Sequence, residues 1–157
     1  WAERGAAFHY VSESPWQLYP DLAVFFRDAG FPAGTFHLQL VSLSPTSIRE
    51  LENRDFRAKR DHIARILEDF PDRRFILVGD TTQQDPEIYG EFARQRPNQI
   101  AAICIRSAAG GDASAPRLEQ AFRDIPRGQW RLFTDPADLA RLPWPTTAPA
   151  TRAAPDP

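Results

Sequence analysis

Asp80 and Asp85 are the residues of this sequence whose type and spacing most directly invite chemistry. Asp80 closes the run Phe75-Ile-Leu-Val-Gly-Asp80, and Asp85 follows across Thr81-Thr-Gln-Gln, directly before Pro86. The pattern spells a short buried strand, a tight turn and a helix start. In an open parallel sheet such a turn lies at the carboxyl ends of the strands, where these folds bind ligands. One or two carboxylates, with waters and a substrate phosphate, commonly hold Mg2+, so the pair marks a candidate Mg2+ site. Each aspartate also has a plainer reading. Asp80 can close an Asx-turn, and Asp85-Pro86 can serve as N-cap and first residue of a helix.

A second group is basic. Eighteen of the nineteen basic residues are arginine, and Lys59 is the single lysine. With abundant Ala and Pro, this bias points to a GC-rich genome. A lysine retained there marks a place that needs a compact ammonium, unless chance left it. Lys59 falls in the first turn of a predicted helix, where a cation opposes the macrodipole. Arg54, Arg57 and Arg60 crowd the same region. A bound phosphate would rationalise the cluster, and a solvated basic face is the alternative for the arginines. Ser12 is expected at the tip of the first strand, where its hydroxyl can donate to a phosphate oxygen. Ser14 is the better N-cap for a helix beginning at Pro15. His9, His37 and His62 lack metal-ligand spacing. The first two are expected as packed or edge residues of strands, the third on a helix surface. Cys104, the one cysteine, lies in an apolar run and reads as a buried inert thiol.

Alternating strands and helices must position these groups. Strands are predicted over Ala6–Val11, Phe36–Val41, Phe75–Val78 and Ile100–Ile105, with a last edge strand at Trp130–Phe133. Ser12 to Pro15 is read as a turn. Helices are predicted from Pro15 to Ala29, with Leu18, Leu22, Phe25 and Phe26 on one stripe and Gly30 as the stop. Others follow at Phe56–Phe70 (Ile63, Ile66, Leu67 and Phe70 inward), Pro86–Gln95 and Ala115–Asp124, with a short terminal one after Asp135. Ser42 to Asp55 reads as a loop. Such alternation argues for βαβ units and a parallel sheet covered on both faces. Residues 1–142 are read as one domain, and the Pro/Ala-rich 143–157 as a disordered tail.

The bulk numbers are ordinary for a soluble globular chain: 157 residues, 42% hydrophobic and 25% charged. The net charge of −2 supplies no basic field for nucleic acid. No apolar stretch reaches the roughly 18 residues of a membrane span, and no signal peptide is visible. The sequence starts at Trp1 and contains no Met, so it is expected to be a piece of a longer chain.

The segments Tyr10-Val-Ser12-Glu-Ser-Pro-Trp16-Gln-Leu-Tyr19-Pro, Lys59-Arg-Asp-His-Ile63 and Phe70-Pro-Asp-Arg-Arg-Phe-Ile-Leu-Val-Gly-Asp80 through Asp85-Pro-Glu-Ile-Tyr89 carry a resemblance. Over about Phe8 to Ile105 the chain resembles the catalytic domain of actin-patch-associated phosphatidate phosphatases and their bacterial relatives, within the haloacid-dehalogenase-like superfamily. The resemblance implies a three-layer, doubly wound parallel α/β sheet of Rossmann type. It implies a Mg2+-dependent phosphatase that acts on phosphatidate through an aspartyl-phosphate. Ser12 and Lys59 would be catalytic and phosphate-binding, and Asp80 and Asp85 would hold the metal. Thr81, where the family often has Ser, would join Arg57 on the substrate. A phosphorylated small molecule or phospholipid would be the partner, in a cytoplasmic, membrane-peripheral setting.

One departure is large. The superfamily's first motif, Asp-x-Asp-x-Thr at the end of a central strand, supplies the nucleophile, and no Asp-x-Asp occurs in these 157 residues. The nucleophile is therefore expected upstream, and the fragment alone is expected to be inactive. The rival reading is a non-catalytic α/β module that binds a phosphorylated ligand or a protein partner.

Overall fold

The computed structural model describes residues 1–40 and 57–140. The expected 42–55 loop, Arg54 and the tail from Pro143 lie outside them. The protein is mixed α/β with parallel sheets, as the alternation requires. It forms two compact units, residues 1–69 and 70–157.

In the first unit, strands β1 (Phe8–Pro15) and β2 (Gly34–Gln39) pair in parallel around helix α1 (Tyr19–Asp28). Side chains alternate across a strand, so Phe8, Tyr10, Phe36 and Leu38 share one face, and His9, Val11, Thr35 and His37 the other. The aromatic face meets α1: the Tyr10 ring lies 4.6 Å from Phe26 and the Phe36 ring 5.0 Å from it. Helix α2 (Arg57–Asp69) packs against β1 and buries Ile63, Ile66 and Leu67. Gly34 is required at the start of β2. A Cβ there would stand 2.6 Å from the Phe8 carbonyl oxygen.

The exit from α1 follows the expected glycine stop. Gly30 has φ +72°, its N–H donates to Arg27 O, and Phe31 N–H reaches back to Phe26 O. This nested pair is the Schellman arrangement.

The entry differs from expectation. Ser12–Pro15 continues the strand instead of turning, and α1 starts only at Tyr19 after a 3-10 turn, Trp16–Leu18. Between Val11 and Pro15 the pairing slips, so that Val11 opposes His37 and Pro15 opposes Gln39. The Ser12 hydroxyl takes up the Ser14 N–H at 3.1 Å, a local bond that substitutes for the ladder, and Pro15 has no N–H to place. Ser14 is accordingly not an N-cap. The expected inward stripe is also narrower: Phe26 packs, while Phe25 is 58% exposed and Leu18 is exposed. Phe70 lies beyond the end of α2 and is likewise exposed.

The second unit contains β3 (Phe75–Asp80), α3 (Asp85–Gln95), β4 (Ile100–Arg106), α4 (Ala115–Ala121), β5 (Trp130–Phe133) and the short α5 (Ala137–Ala140). Its sheet is parallel, in the order β3-β4-β5. Strand β4 is central and carries the most buried run, Ile103, Cys104 and Ile105. Ile88 and Phe92 of α3 and Leu118 of α4 join it in the core. Each such side chain contributes about 1.5–3 kcal/mol through burial. Gly90 lets α3 and α4 touch, since a Cβ there would strike the Ala121 carbonyl. Arg94 then donates to Ala121 O at 2.8 Å and Arg123 O at 3.2 Å, satisfying carbonyls at the end of α4. Burial raises the Cys104 thiol to about 11, in keeping with an inert core cysteine.

Candidate active site

The acidic pair is built at the end of β3. Gly79 is the enabling residue, because a Cβ at this position would run into the Asp85 carboxylate. Asp85 can therefore fold back over the strand end, where its Oδ2 accepts the Asp80 N–H at 3.1 Å. Asp85 is only 5% exposed and is the first residue of α3 rather than its N-cap, a position held by Gln84 without a side-chain bond. A carboxylate in that first turn suits the helix dipole.

Asp80 is half-buried, and its Oδ1 accepts both the backbone N–H of Thr82, at 2.7 Å, and the Thr82 hydroxyl. The Asx-turn reading and the ligand reading thus divide one carboxylate: Oδ1 closes the turn, and among the described residues Oδ2 makes no such bond. The field of the pair is legible at Tyr89, whose hydroxyl donates to Val78 O at 3.0 Å. Burial first, then the charges of Asp85 and Asp80, push its phenol well above the ordinary range.

Thr81 is placed unlike a substrate-facing residue. It is 1% exposed, and its hydroxyl accepts the Ala108 N–H at 3.2 Å. Its backbone donates to Arg106 O at 3.1 Å and accepts from Asp112 N–H at 3.2 Å. Gly111 presses on it so closely that a Cβ would collide with the Thr81 hydroxyl. Thr81 ties the β3–α3 loop to the loop after β4.

The donor set suits a hard cation held by few protein ligands. Two carboxylates stand at one strand end. Oxygen donors in that number are what Mg2+ takes from a protein, the rest of its shell being waters and substrate phosphate.

In the first unit, Ser12 is half-buried in β1, and its hydroxyl donates to Ser14 Oγ at 2.9 Å. Lys59 stands in the first turn of α2, a turn with no acidic residue, and is 7% exposed. It is thus the buried member of the basic group, whereas Arg57 is exposed and Arg60 intermediate. Placing a long ammonium side chain there requires polar partners, because a buried unpaired charge is expensive.

Two features were not foreseen in the sequence. The histidines cluster: His9 Nδ1 lies 3.3 Å from His37 Nε2, the Thr35 hydroxyl lies 2.8 and 3.0 Å from the same two nitrogens, and the His62 ring is 5.9 Å from that of His37. Odd positions on two parallel strands share a face, so the pairing of His9 with His37 could have been found from the register. The other feature is Arg117 on α4, whose guanidinium meets Glu87 in a two-point ion pair and several loop carbonyls. Glu87 and Thr81 lie 30 and 36 residues away in sequence, and no local pattern signals them.

The family model "Phosphatidate phosphatase APP1, catalytic domain" matches residues 1–107. The chain is 40% identical over 115 residues to phosphatidate phosphatase APP1 of Saccharomyces cerevisiae, covering 72% of this chain and 19% of that protein. It is 32% identical over 108 residues to an uncharacterized protein of Schizosaccharomyces pombe, covering 64% of this chain and 16% of that protein. The chain thus spans less than a fifth of the length of either relative. No solved structure matches it. With Ser12, Lys59, Asp80 and Asp85 all inside the matched region, the chain belongs to the phosphatidate phosphatase APP1 catalytic domain family.

Proposed function

We propose that this chain is part of a Mg2+-dependent phosphatase domain that hydrolyses a phosphomonoester, with phosphatidate as the substrate class. The observation that carries the proposal is the family match over residues 1–107, which includes every candidate site residue. The name of the yeast relative supplies the substrate class. In this reading the whole catalytic domain is a three-layer, haloacid-dehalogenase-like fold. Its nucleophile-bearing strand lies outside these 157 residues, which contain no Asp-x-Asp.

Each residue then has a defined task. Lys59 neutralises charge on the phosphoryl group, and Ser12 donates a hydrogen bond to a phosphoryl oxygen. Arg57 adds positive charge to the same region. Asp80 would be the principal residue holding Mg2+, and Asp85, which accepts the Asp80 N–H, would add negative charge beside it. Bound Mg2+ would supply charge neutralisation for phosphate and nucleophile. An aspartate supplied by another part of the protein would attack phosphorus, breaking the bond to the ester oxygen, which leaves as the protonated alcohol; water would then hydrolyse the aspartyl-phosphate to free phosphate and restore the carboxylate. Thr81 stabilises the loop rather than touching substrate. Among the described residues no helix is long and apolar enough to cross a membrane.

The experiment is phosphate release by the whole protein from phosphatidate in vesicles and from a soluble phosphomonoester, with Mg2+ added or chelated. We expect release that requires Mg2+ and favours the lipid. No release from either substrate, with phosphatidate vesicles bound unchanged, would contradict an enzyme and support a binding module.

A further inference from the structure

We propose that Arg117 is a positioning residue, which fixes the geometry of the Asp80–Asp85 pair by freezing the loop between them. The inference rests on the reading of those aspartates as the acidic site. It adds a residue from beyond the 1–107 family match.

A guanidinium carries five N–H donors in a rigid planar fork, and Arg117 uses all five. Nε donates to Glu87 Oε1 at 2.7 Å and one NH2 hydrogen to Glu87 Oε2 at 2.9 Å. The other NH2 hydrogen goes to Gln83 O. The two NH1 hydrogens go to Thr81 O at 2.9 Å and Asp112 O at 2.8 Å. Two of these acceptors, Thr81 O and Gln83 O, are carbonyls of the β3–α3 loop. A third partner, Glu87, stands in the first turn of α3, just after Asp85. One side chain therefore holds both the loop and the helix start that it feeds.

The rest of the loop is anchored at its start, where Thr81 bonds to Arg106, Ala108 and Asp112 and Thr82 to Asp80 Oδ1. Nearer the helix, the Gln83 carbonyl is taken up by Arg117. Lysine could not replace this fork, since its three donors radiate from one point.

Two backbone amides report on the carboxylates directly. Asp80 N–H is bonded to Asp85 Oδ2, and Thr82 N–H to Asp80 Oδ1. In the whole protein, Arg117→Ala is expected to speed hydrogen exchange at Asp80 and Thr82 about tenfold or more, while Ile103 and Cys104 in β4 keep their protection. Mg2+ binding, titrated calorimetrically, should weaken about 10–100-fold, the usual range for partners that orient metal ligands. Arg117→Lys should recover little of either, and Glu87→Gln should fall between. If Arg117→Ala does not fold, Arg117→Lys and Glu87→Gln carry the test.

Unchanged exchange at Asp80 and Thr82 would overturn the proposal. So would an equal loss of protection throughout β4, which would make Arg117 a general support of the fold. Full recovery by lysine would replace the fork with simple charge and equally overturn it. If the parent protein binds no Mg2+ at all, the metal reading fails, and the exchange experiment still decides the clamp.

Discussion

The two units of the chain solve different problems. In residues 70–140 the candidate carboxylates sit on a scaffold fixed from several directions: a central strand buried on both faces, a glycine that admits Asp85, and a guanidinium that spans two loops. Among the described residues of 1–69, none of the β1 side chains is fully buried, the aromatic residues Phe25 and Phe31 are exposed, and Lys59 is the buried charge. The acidic group is held by backbone geometry. The residues proposed to bind phosphate, Ser12 and Lys59, depend on side-chain chemistry on a less buried frame. Rigidity thus belongs to the element that must orient two carboxylates, for which small displacements matter most.

That contrast can be broken first by stability. Phe92→Ala, at a core position 5% exposed, should cost about 3–5 kcal/mol in denaturant unfolding. Phe25→Ala, on the open side of α1, should stay within about 0.5 kcal/mol. Equal costs would show that the two units are packed alike.

The second expectation concerns chemistry rather than packing. Lys59→Arg should lower kcat/KM of the whole protein about 10–100-fold with stability little changed, because the buried site takes a compact ammonium. Unimpaired turnover would show that any positive charge serves.

The smallest effect is a pH dependence confined to the first unit. Burial first, then the neighbouring His9 and His62, lowers the His37 pKa below 6.5, with Asp69 pulling weakly the other way. The folded state therefore binds fewer protons than the unfolded chain just below pH 6.5. This contribution to stability is complete above that pH and fades as pH falls through the depressed value. Thermal unfolding from pH 7.5 to 5 should drop more steeply for the native protein than for His37→Asn. Parallel curves would remove the cluster as the cause.

Much of the second unit was legible in the sequence because its signals are local. Phe75–Val78 is a short apolar run, Gly79-Asp80 ends it, and Asp85-Pro86 starts a helix within one residue of the expected place. Ile100–Ile105 likewise needed only its apolar run. The misreading of Ser12–Pro15 has a physical source: Ser-x-Ser-Pro fits a helix start as well as a bulged strand end, and only the pairing with β2 chooses. Thr81 kept the hydroxyl that the family pattern suggested, yet its burial follows from Gly111 and Ala108, which no nearby residue announces. Arg117 was illegible for the same reason, since its bond to Thr81 spans 36 residues. Local chemistry can be read along a chain, but a clamp that closes across two loops belongs to the fold.

The central claim is that Asp80 carries the acidic chemistry while Asp85 supports it. The most direct measurement is Mg2+-dependent phosphate release from phosphatidate vesicles by the whole protein bearing Asp80→Asn. The account predicts a loss of about 10²-fold or more, with the unfolding midpoint close to that of the native protein. Release at the native rate, with the same dependence on Mg2+, would contradict it.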